Sequence, residues 1–322
     1  MDNIFDKNLY RTTTEKIKVI IDTDPGVDDV ACIIYAMNDP NLDVKLLTTV
    51  AGNISIKKAT RNLLHVKELF GFDCPVAVGE KKALRRVSPT AEFIHSKEGL
   101  GGYTPPRTVK IAPNSYDAVE EMYKVISNGN GDIIPVMLGP VTNLAKLIIT
   151  HPDVIQKIPK AVVMGGAPYG NPDYPEHVSF NLSTDPDAFK ILLGSGIPIL
   201  MCPSHVGRIR AHLEEDFVIA LKDKGDVGKF LYTMYTKYWE PKYPTRRITT
   251  NDSCALFALV YPKMFKIKRC SVTVNTTDFP GRTNIDFVDK GNIEFIDDLD
   301  KPAFLSLLLS ALDDMQNIKL DV

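Results

Sequence analysis

Asp22, Asp24, Asp28 and Asp29 fall within eight residues, directly after the apolar run Ile17-Lys18-Val19-Ile20-Ile21 and around Pro25-Gly26. The chain is expected to turn there from a buried strand into a helix, which crowds the four charges. A fold tolerates such crowding with a bound cation or a shared proton. An oxygen-only donor set suits a hard ion, Ca²⁺ or Mg²⁺, better than zinc. Asp28 and Asp29 also suit a first helical turn, where acids complement the helix dipole, and Asp22 could simply end a strand. Capping accounts for two of the four, and unpaired carboxylates are rarely buried. Metal-assisted chemistry is therefore the leading expectation.

Positioning such a cluster requires a rigid frame, and the rest of the chain supplies one. Short apolar, β-rich runs predict strands at 17–22, 45–50, 75–78, 132–138, 160–164 and 197–201. Helical patterns between them predict helices at 29–38, 56–70, 115–127, 142–150 and 186–194. In the second of these, Ile56, Ala59, Leu63, Val66 and Phe70 share one face. Ser55 is placed to cap that helix, and Asp185-Pro186 opens the last with a cap and a first-turn proline. Continuous apolar strands alternating with helices imply an α/β fold: a mainly parallel, Rossmann-like open sheet with helices on both faces. Beyond residue 212 come two or three helices, β-like runs near 269–275, 284–288 and 292–296, and a final helix at 301–316, a C-terminal elaboration that could cap the same domain. One domain is expected over residues 1–322, with residues 1–13 as a loose extension. Sites in such sheets form at the carboxyl ends of strands. The Asp cluster, the Asn53 turn, Leu138-Gly139 and Met164-Gly165-Gly166 all fall at those ends.

Bulk properties narrow the class. The 322 residues carry a formal charge of −2, so no basic field points to nucleic acid or an anionic membrane surface. No apolar run approaches a membrane span, and Met1-Asp2-Asn3-Ile4-Phe5-Asp6 lacks a basic signal-peptide start. Five scattered cysteines, Cys32, Cys74, Cys202, Cys254 and Cys270, read as reduced core thiols of a cytoplasmic protein.

Taken together, the strand-end motifs resemble the inosine-uridine-preferring nucleoside hydrolase family. The matching stretches are Asp22-Thr23-Asp24-Pro25-Gly26-Val27-Asp28-Asp29, Thr48-Thr49-Val50-Ala51-Gly52-Asn53 and Leu138-Gly139-Pro140-Val141-Thr142-Asn143. Met164-Gly165-Gly166-Ala167, Ser179-Phe180-Asn181 and Asn251-Asp252 follow in order. The resemblance implies hydrolysis of the N-glycosidic bond of a small-molecule ribonucleoside to free base and ribose, as part of nucleoside salvage, with one bound Ca²⁺. It also implies a homo-oligomer, a dimer or tetramer. By the same resemblance, Asp24, Asp29, Asp252 and the Leu138 carbonyl would hold the ion, and Asp24 would take a proton from a calcium-bound water. Asp28 and Asn53 would hold the ribose diol, while Asn171 and Asn181 would face the 5′-hydroxymethyl group. His95 would line the pocket near the base. The chemistry is consistent: glycosidic cleavage develops positive charge on the sugar, and carboxylates stabilise that charge as it forms. Several residues also have plainer roles open to them. Asn53 can serve as a turn former, Gly165-Gly166 as a strand exit and Asn143 as helix-entry chemistry. His95 sits near Gly99, Gly101 and Gly102, which suggest a mobile flap. Tyr235, Tyr238, Trp239 and Tyr243 fit either a core or a stack on the departing base.

Two positions depart from the family pattern. Asn251 stands where the familiar members carry the histidine that protonates the departing purine, and asparagine cannot do so. Activation would then fall to His95, Tyr238, solvent or tight binding of the base, which favours pyrimidine or broad specificity. Ser179 replaces a glutamate expected at the 5′-hydroxyl, with Glu176 as a substitute from the longer 171–181 loop. That change removes negative charge from the 5′ side, with tolerance of a ribose altered at the 5′ position as one consequence. Two rivals stay open. A haloacid-dehalogenase-like phosphohydrolase would use Asp22 as nucleophile with Mg²⁺, but it leaves the extra Asp28-Asp29 pair unexplained. A catalytically weakened ribose- or nucleoside-binding protein is the other. An EF-hand fails because Val27 and Ile33 occupy the glycine and glutamate positions of its loop.

Overall fold

A computed structural model of the chain describes residues 5–87, 89–169, 178–239 and 247–321. Among these, the strands are β1 (Ile17–Thr23), β2 (Leu42–Thr49), β3 (Val76–Val78), β4 (Ile133–Met137), β5 (Ala161–Met164), β6 (Ile199–Cys202), β7 (Phe265–Val274), β8 (Thr283–Phe287) and β9 (Ile293–Leu299). The helices are α1 (Val27–Asn38), α2 (Ile56–Phe70), α3 (Glu92–His95), α4 (Ala118–Asn128), α5 (Thr142–Thr150), α6 (Phe180–Thr184), α7 (Pro186–Gly194), α8 (Glu215–Ala220), α9 (Gly225–Tyr235), α10 (Asn251–Val260) and α11 (Lys301–Asp314). All strands join one sheet in the order β3-β2-β1-β4-β5-β6-β9-β7-β8. The first six strands and β9 run parallel, and β7 is antiparallel to both β9 and β8. The mainly parallel α/β sheet expected from the alternating pattern is therefore present. The late β-like runs do not form a separate cap: β9 continues the parallel sheet beside β6, and β7 and β8 complete that edge.

Why the elements fall here is largely a matter of burial and caps. Val19, Ile20 and Ile21 of β1 are fully buried because helices cover both faces, and the core divides accordingly. One half joins α1, α2, α9, α10 and α11, the other α4, α5 and α7. Each large aliphatic side chain fully buried this way contributes about 2 kcal/mol. Helix α1 is apolar all round, Val30 through Ala36 being buried without a break, as suits a helix enclosed by its neighbours. It starts two residues earlier than expected, because the Asp29 carboxylate reaches back to accept from Gly26 N at 3.0 Å. Helix α4 starts three residues later, where Asp117 Oδ1 accepts from Glu120 N at 3.1 Å. Asp185 caps α7 through Ala188 N and also accepts from Leu84 N and Thr142 Oγ1. Ser55 holds the cap position of α2 through its carbonyl, which accepts from Ala59 N, and not through its hydroxyl.

Ahead of β1, where the sequence suggests a loose extension, residues 5–11 are held down. Arg11 donates to Asn41 Oδ1 at 2.5 Å and to the Glu15 carbonyl at 2.6 Å, while the rings of Phe5 and Tyr10 stack. All five cysteines are buried and unbridged. No helix among the described residues is long and apolar enough to cross a membrane.

Candidate active site

The carboxyl end of β1 delivers Asp22, Thr23 and Asp24 to the edge of the sheet, and α1 begins three residues later with Asp28 and Asp29 in its first turn. Asp22 is not among the residues that line the pocket. Its Oδ1 accepts from Thr48 Oγ1 at 2.5 Å and Asn143 Nδ2 at 2.7 Å, and burial pushes its carboxyl up to about 7. Its Oδ2 is buried without a partner, as is Asp24 Oδ1, and Asp24, like Asp22, is not among the residues that line the pocket. Asn143 neither caps a helix nor lines the pocket: it ties β1 to β2 through Asp22 and the Thr49 carbonyl and accepts from Glu80 N.

Asp29 organises the remaining acids. Its Oδ1 accepts from Thr23 Oγ1 at 2.6 Å, and its Oδ2 accepts from Gly26 N and from Asn53 Nδ2 at 3.1 Å. Asn53 also donates its backbone N–H to Asp24 Oδ2 at 2.6 Å, so the Gly52-Asn53 turn holds two acids at once. Asp24 is fully buried, and its Oδ1 has no hydrogen-bond partner. Helix α10 brings in Asp252 from far along the chain. One oxygen each of Asp28, Asp29 and Asp252 lie within 4.8 Å of one another. Burial is the main force raising the Asp24, Asp28 and Asp252 carboxyls, and their mutual repulsion adds to it. Asp28 reaches about 7. Carboxylates in that state either hold protons or share a cation.

These residues fit a hard cation. Asp24 Oδ1 is a buried acceptor without a donor. Gly52 and Gly139 pack so closely on the Asp24 carboxylate that a side chain at 52 would overlap Oδ2, while one at 139 would come within 2.8 Å of Oδ1. The tightest acid trio contains Asp28, expected at the sugar, in place of Asp24, with Asp24 adjoining it through Asp29. The Leu138 carbonyl at the end of β4 already accepts from Asn181 Nδ2 at 2.5 Å. A carbonyl has two lone pairs, so one acceptor site is left for an ion.

The pocket in front of this cluster is lined by Asp28, Asp29, Asn53, His95, Leu138, Ser179, Asn181, Asn251 and Asp252 of the expected residues. His95 is buried, and its Nδ1 accepts from Val27 N at 3.1 Å, 4.0 Å from Asp28 Oδ1. Burial pushes this imidazole down to about 4, so near neutral pH it is uncharged, with its proton on Nε2. It can donate a hydrogen bond there but is not a strong acid. Ser179 Oγ accepts from Gly166 N at 2.7 Å. Asn251 opens α10 with its Oδ1 buried and unpartnered. Tyr238 packs against the core and does not line the pocket. Asn171, Glu176 and Tyr243 lie outside the described residues. Ala91, Ile94, Ser204, Arg208 and Thr249 also line the pocket without having been singled out from the sequence, while Met164 and Phe180 belong to motifs already recognised there. Ser204 and Arg208 follow the carboxyl end of β6, and extending the strand-end rule one strand further would have found them.

The segment expected as a mobile flap is pinned. Lys58 pairs with Glu92 and donates to the Lys97 carbonyl, Arg61 pairs with Glu98, and His65 bonds the Tyr103 hydroxyl. Lys237 Nζ donates to the Ile94 carbonyl at 2.6 Å. Gly101 is needed for close approach: it sits at φ +60°, and a Cβ there would overlap the Met234 carbonyl.

The chain is similar to known proteins over most of its length. The family model described as inosine-uridine preferring nucleoside hydrolase matches residues 19–306. The non-specific ribonucleoside hydrolase RihC of Salmonella paratyphi B is 34% identical over 265 residues, which is 82% of this chain and 85% of that protein. A solved plant nucleoside hydrolase, PpNRh1, superposes with a TM-score of 0.84 at 29% identity, covering 92% of this chain and 99% of its own. A purine-preferring ribonucleoside hydrolase from Gardnerella vaginalis does so at 0.83 and 26%, with the same coverage of both chains. Given a match spanning the sheet, the acid cluster and α10 alike, the chain belongs to the inosine-uridine preferring nucleoside hydrolase family.

Proposed function

We propose that this nucleoside hydrolase cleaves the N-glycosidic bond of ribonucleosides to free base and ribose, with one Ca²⁺ held by Asp24, Asp29, Asp252 and the Leu138 carbonyl. The observation that carries the reading is Asp24 Oδ1, a buried acceptor without a donor beside three further acids. When bound, the ion would neutralise the carboxylates, orient the sugar diol and acidify a water. Asp24 accepts the proton of the attacking water, the role of a general base. Asp28 and Asn53 bind the 2′- and 3′-hydroxyls, and the acids together stabilise positive charge developing at C1′. Asn181, and Asn171 by resemblance, face the 5′ side. His95 contributes a neutral Nε2–H near the base. Tyr238 is left out of the site, since it packs on the core.

Broad base specificity fits best. Asn251 cannot protonate a purine, and His95 is uncharged near neutral pH. RihC, the 34% identical relative, is named as non-specific. The same reading makes the chain a single-domain, cytoplasmic homo-oligomer acting in nucleoside salvage. Reducing-sugar release from uridine, cytidine and inosine, with and without chelator, tests the proposal. Release abolished by chelation and by Asp24→Ala supports it. Binding of nucleoside without product would mark a binding protein instead, and phosphate release from phosphomonoesters would revive the phosphohydrolase.

A further inference from the structure

Lys237 is the one buried lysine among the described residues, at 7% exposure. It stands on the short turn Thr236–Trp239 that follows α9. Its Nζ donates to the Ile94 carbonyl at 2.6 Å and to the Phe93 carbonyl at 3.5 Å. Burying an ammonium is costly unless its protons are bonded, and these bonds grip the chain directly ahead of His95. Directly after His95 stands a second anomaly. Ser96 has φ +77° and ψ +166°, a conformation that glycine adopts freely and other residues avoid. It is the one non-glycine residue at positive φ among those described. Strain of this kind gathers at functional sites and survives only where the surroundings fix the chain from several sides. Here His95 N donates to the Ala91 carbonyl at 3.0 Å, and the His95 carbonyl accepts from Gly101 N at 2.9 Å. Val27 N donates to ring Nδ1 at 3.1 Å, which leaves Nε2 for the pocket that His95 lines. Lys237 adds the remaining hold, from a different element.

We propose that Lys237 is a positioning residue for departure of the base: by gripping the Ile94 carbonyl, it keeps His95 turned with Nε2–H toward the leaving group. The inference deepens the hydrolase reading above, in which His95 stands near the base, and it rests on that reading. As the C1′–N bond breaks, its electron pair leaves with the base. A donor held against the base stabilises that charge more in the transition state than before it. Without the tether the backbone at Ser96 can relax, and His95, one residue earlier, moves with it. A misplacement of about 1 Å is enough to lose much of a positioned group's effect. Lys237 acts through its hold on the backbone and is not itself among the residues that line the pocket.

The test is steady-state kinetics with the full chain in Ca²⁺ on two substrates, uridine and p-nitrophenyl ribofuranoside, whose nitrophenolate departs without help from a donor. Loss of one hydrogen bond to the base should lower kcat/KM for uridine about tenfold in Lys237→Met, and for the nitrophenyl riboside by less than about threefold. His95→Gln should give the same split, and the double variant should be no worse than either single one, because both remove one interaction. Lys237→Arg, which can still reach Ile94, should recover most of the uridine activity. Melting temperature checks that each variant folds, and Lys237→Gln, too short to reach Ile94, takes the place of the methionine variant if that one unfolds. Equal losses on both substrates, or none on either, overturn the positioning role and leave the hydrolase reading intact. So does a double variant in which the two losses multiply, since Lys237 would then act apart from His95. A parent chain that hydrolyses neither substrate sinks the hydrolase reading and this inference with it.

Discussion

Asp24 carries opposite consequences for function and for stability, and a single substitution separates them. Its carboxyl is buried, repelled by Asp28 and Asp29, and short of one donor. Asp24→Asn removes the charge while keeping the shape. A lost general base costs about 10²–10⁴-fold in rate, so kcat should fall by that range. The chelated variant should nonetheless melt at or above the chelated parent, because less buried repulsion remains. A variant that loses both activity and metal-free stability would show that Asp24 is structural. His95 offers a second check. Burial holds its folded pKa near 4, below the ordinary 6.5, so the folded state disfavours the charged ring. The neutral ring's contribution is full above about 6.5 and is lost as pH falls from there toward 4. A proton NMR titration should show one imidazole unchanged between pH 8 and 5.5 and missing from the spectrum of His95→Gln. Titration of that signal near 6.5 would place a charged histidine beside the base and reopen its role as an acid.

At the scale of elements, apolar periodicity was enough to place the β1–β6 core and its main helices, because burial alone decides them. Helices α2, α5 and α7 match their expected spans to the residue. What periodicity could not reveal is which distant ends meet. The Asn251-Asp252 motif marks α10 as functional, but only the packing of α10 against α1 brings Asp252 to Asp29. Arg208 sits in a stretch without a recognisable motif, and its place is fixed by the neighbouring strand end. The 92–103 segment shows why glycines mislead: Gly99, Gly101 and Gly102 read as hinges, yet Gly101 is there to let the chain approach the Met234 carbonyl. Its left-handed φ adds strain for any other residue. Gly101→Ala should therefore cost on the order of 2 kcal/mol or more, read as a lower denaturant midpoint. Because the same segment carries His95 to the pocket, KM should rise as well. A neutral Gly101→Ala would mean that the segment is free to move aside, as a mobile flap would.

At the scale of the whole molecule, the site behaves as a pH-dependent stress that a cation relieves. In the metal-free protein, burial lifts the Asp22 and Asp28 carboxyls to about 7 and those of Asp24 and Asp252 well above their ordinary 3.8. Between roughly pH 4 and 7 the folded state then holds more protons than the unfolded chain, so these groups favour folding at low pH. That contribution fades as pH rises through 7 and the buried acids are forced to ionise. A divalent cation reverses the preference, since it binds the ionised form and excludes protons. The melting temperature in chelator should therefore fall from pH 5.5 to 8.5, and the rise produced by saturating Ca²⁺ should grow over the same interval. Comparing the two curves at each pH cancels the titration of surface groups, which the cation does not touch. Asp252→Asn should flatten the dependence, because it removes one of the acids in the tightest trio. A calcium-induced shift of constant size from pH 5.5 to 8.5 would show that the ion, if it binds, does so away from this cluster.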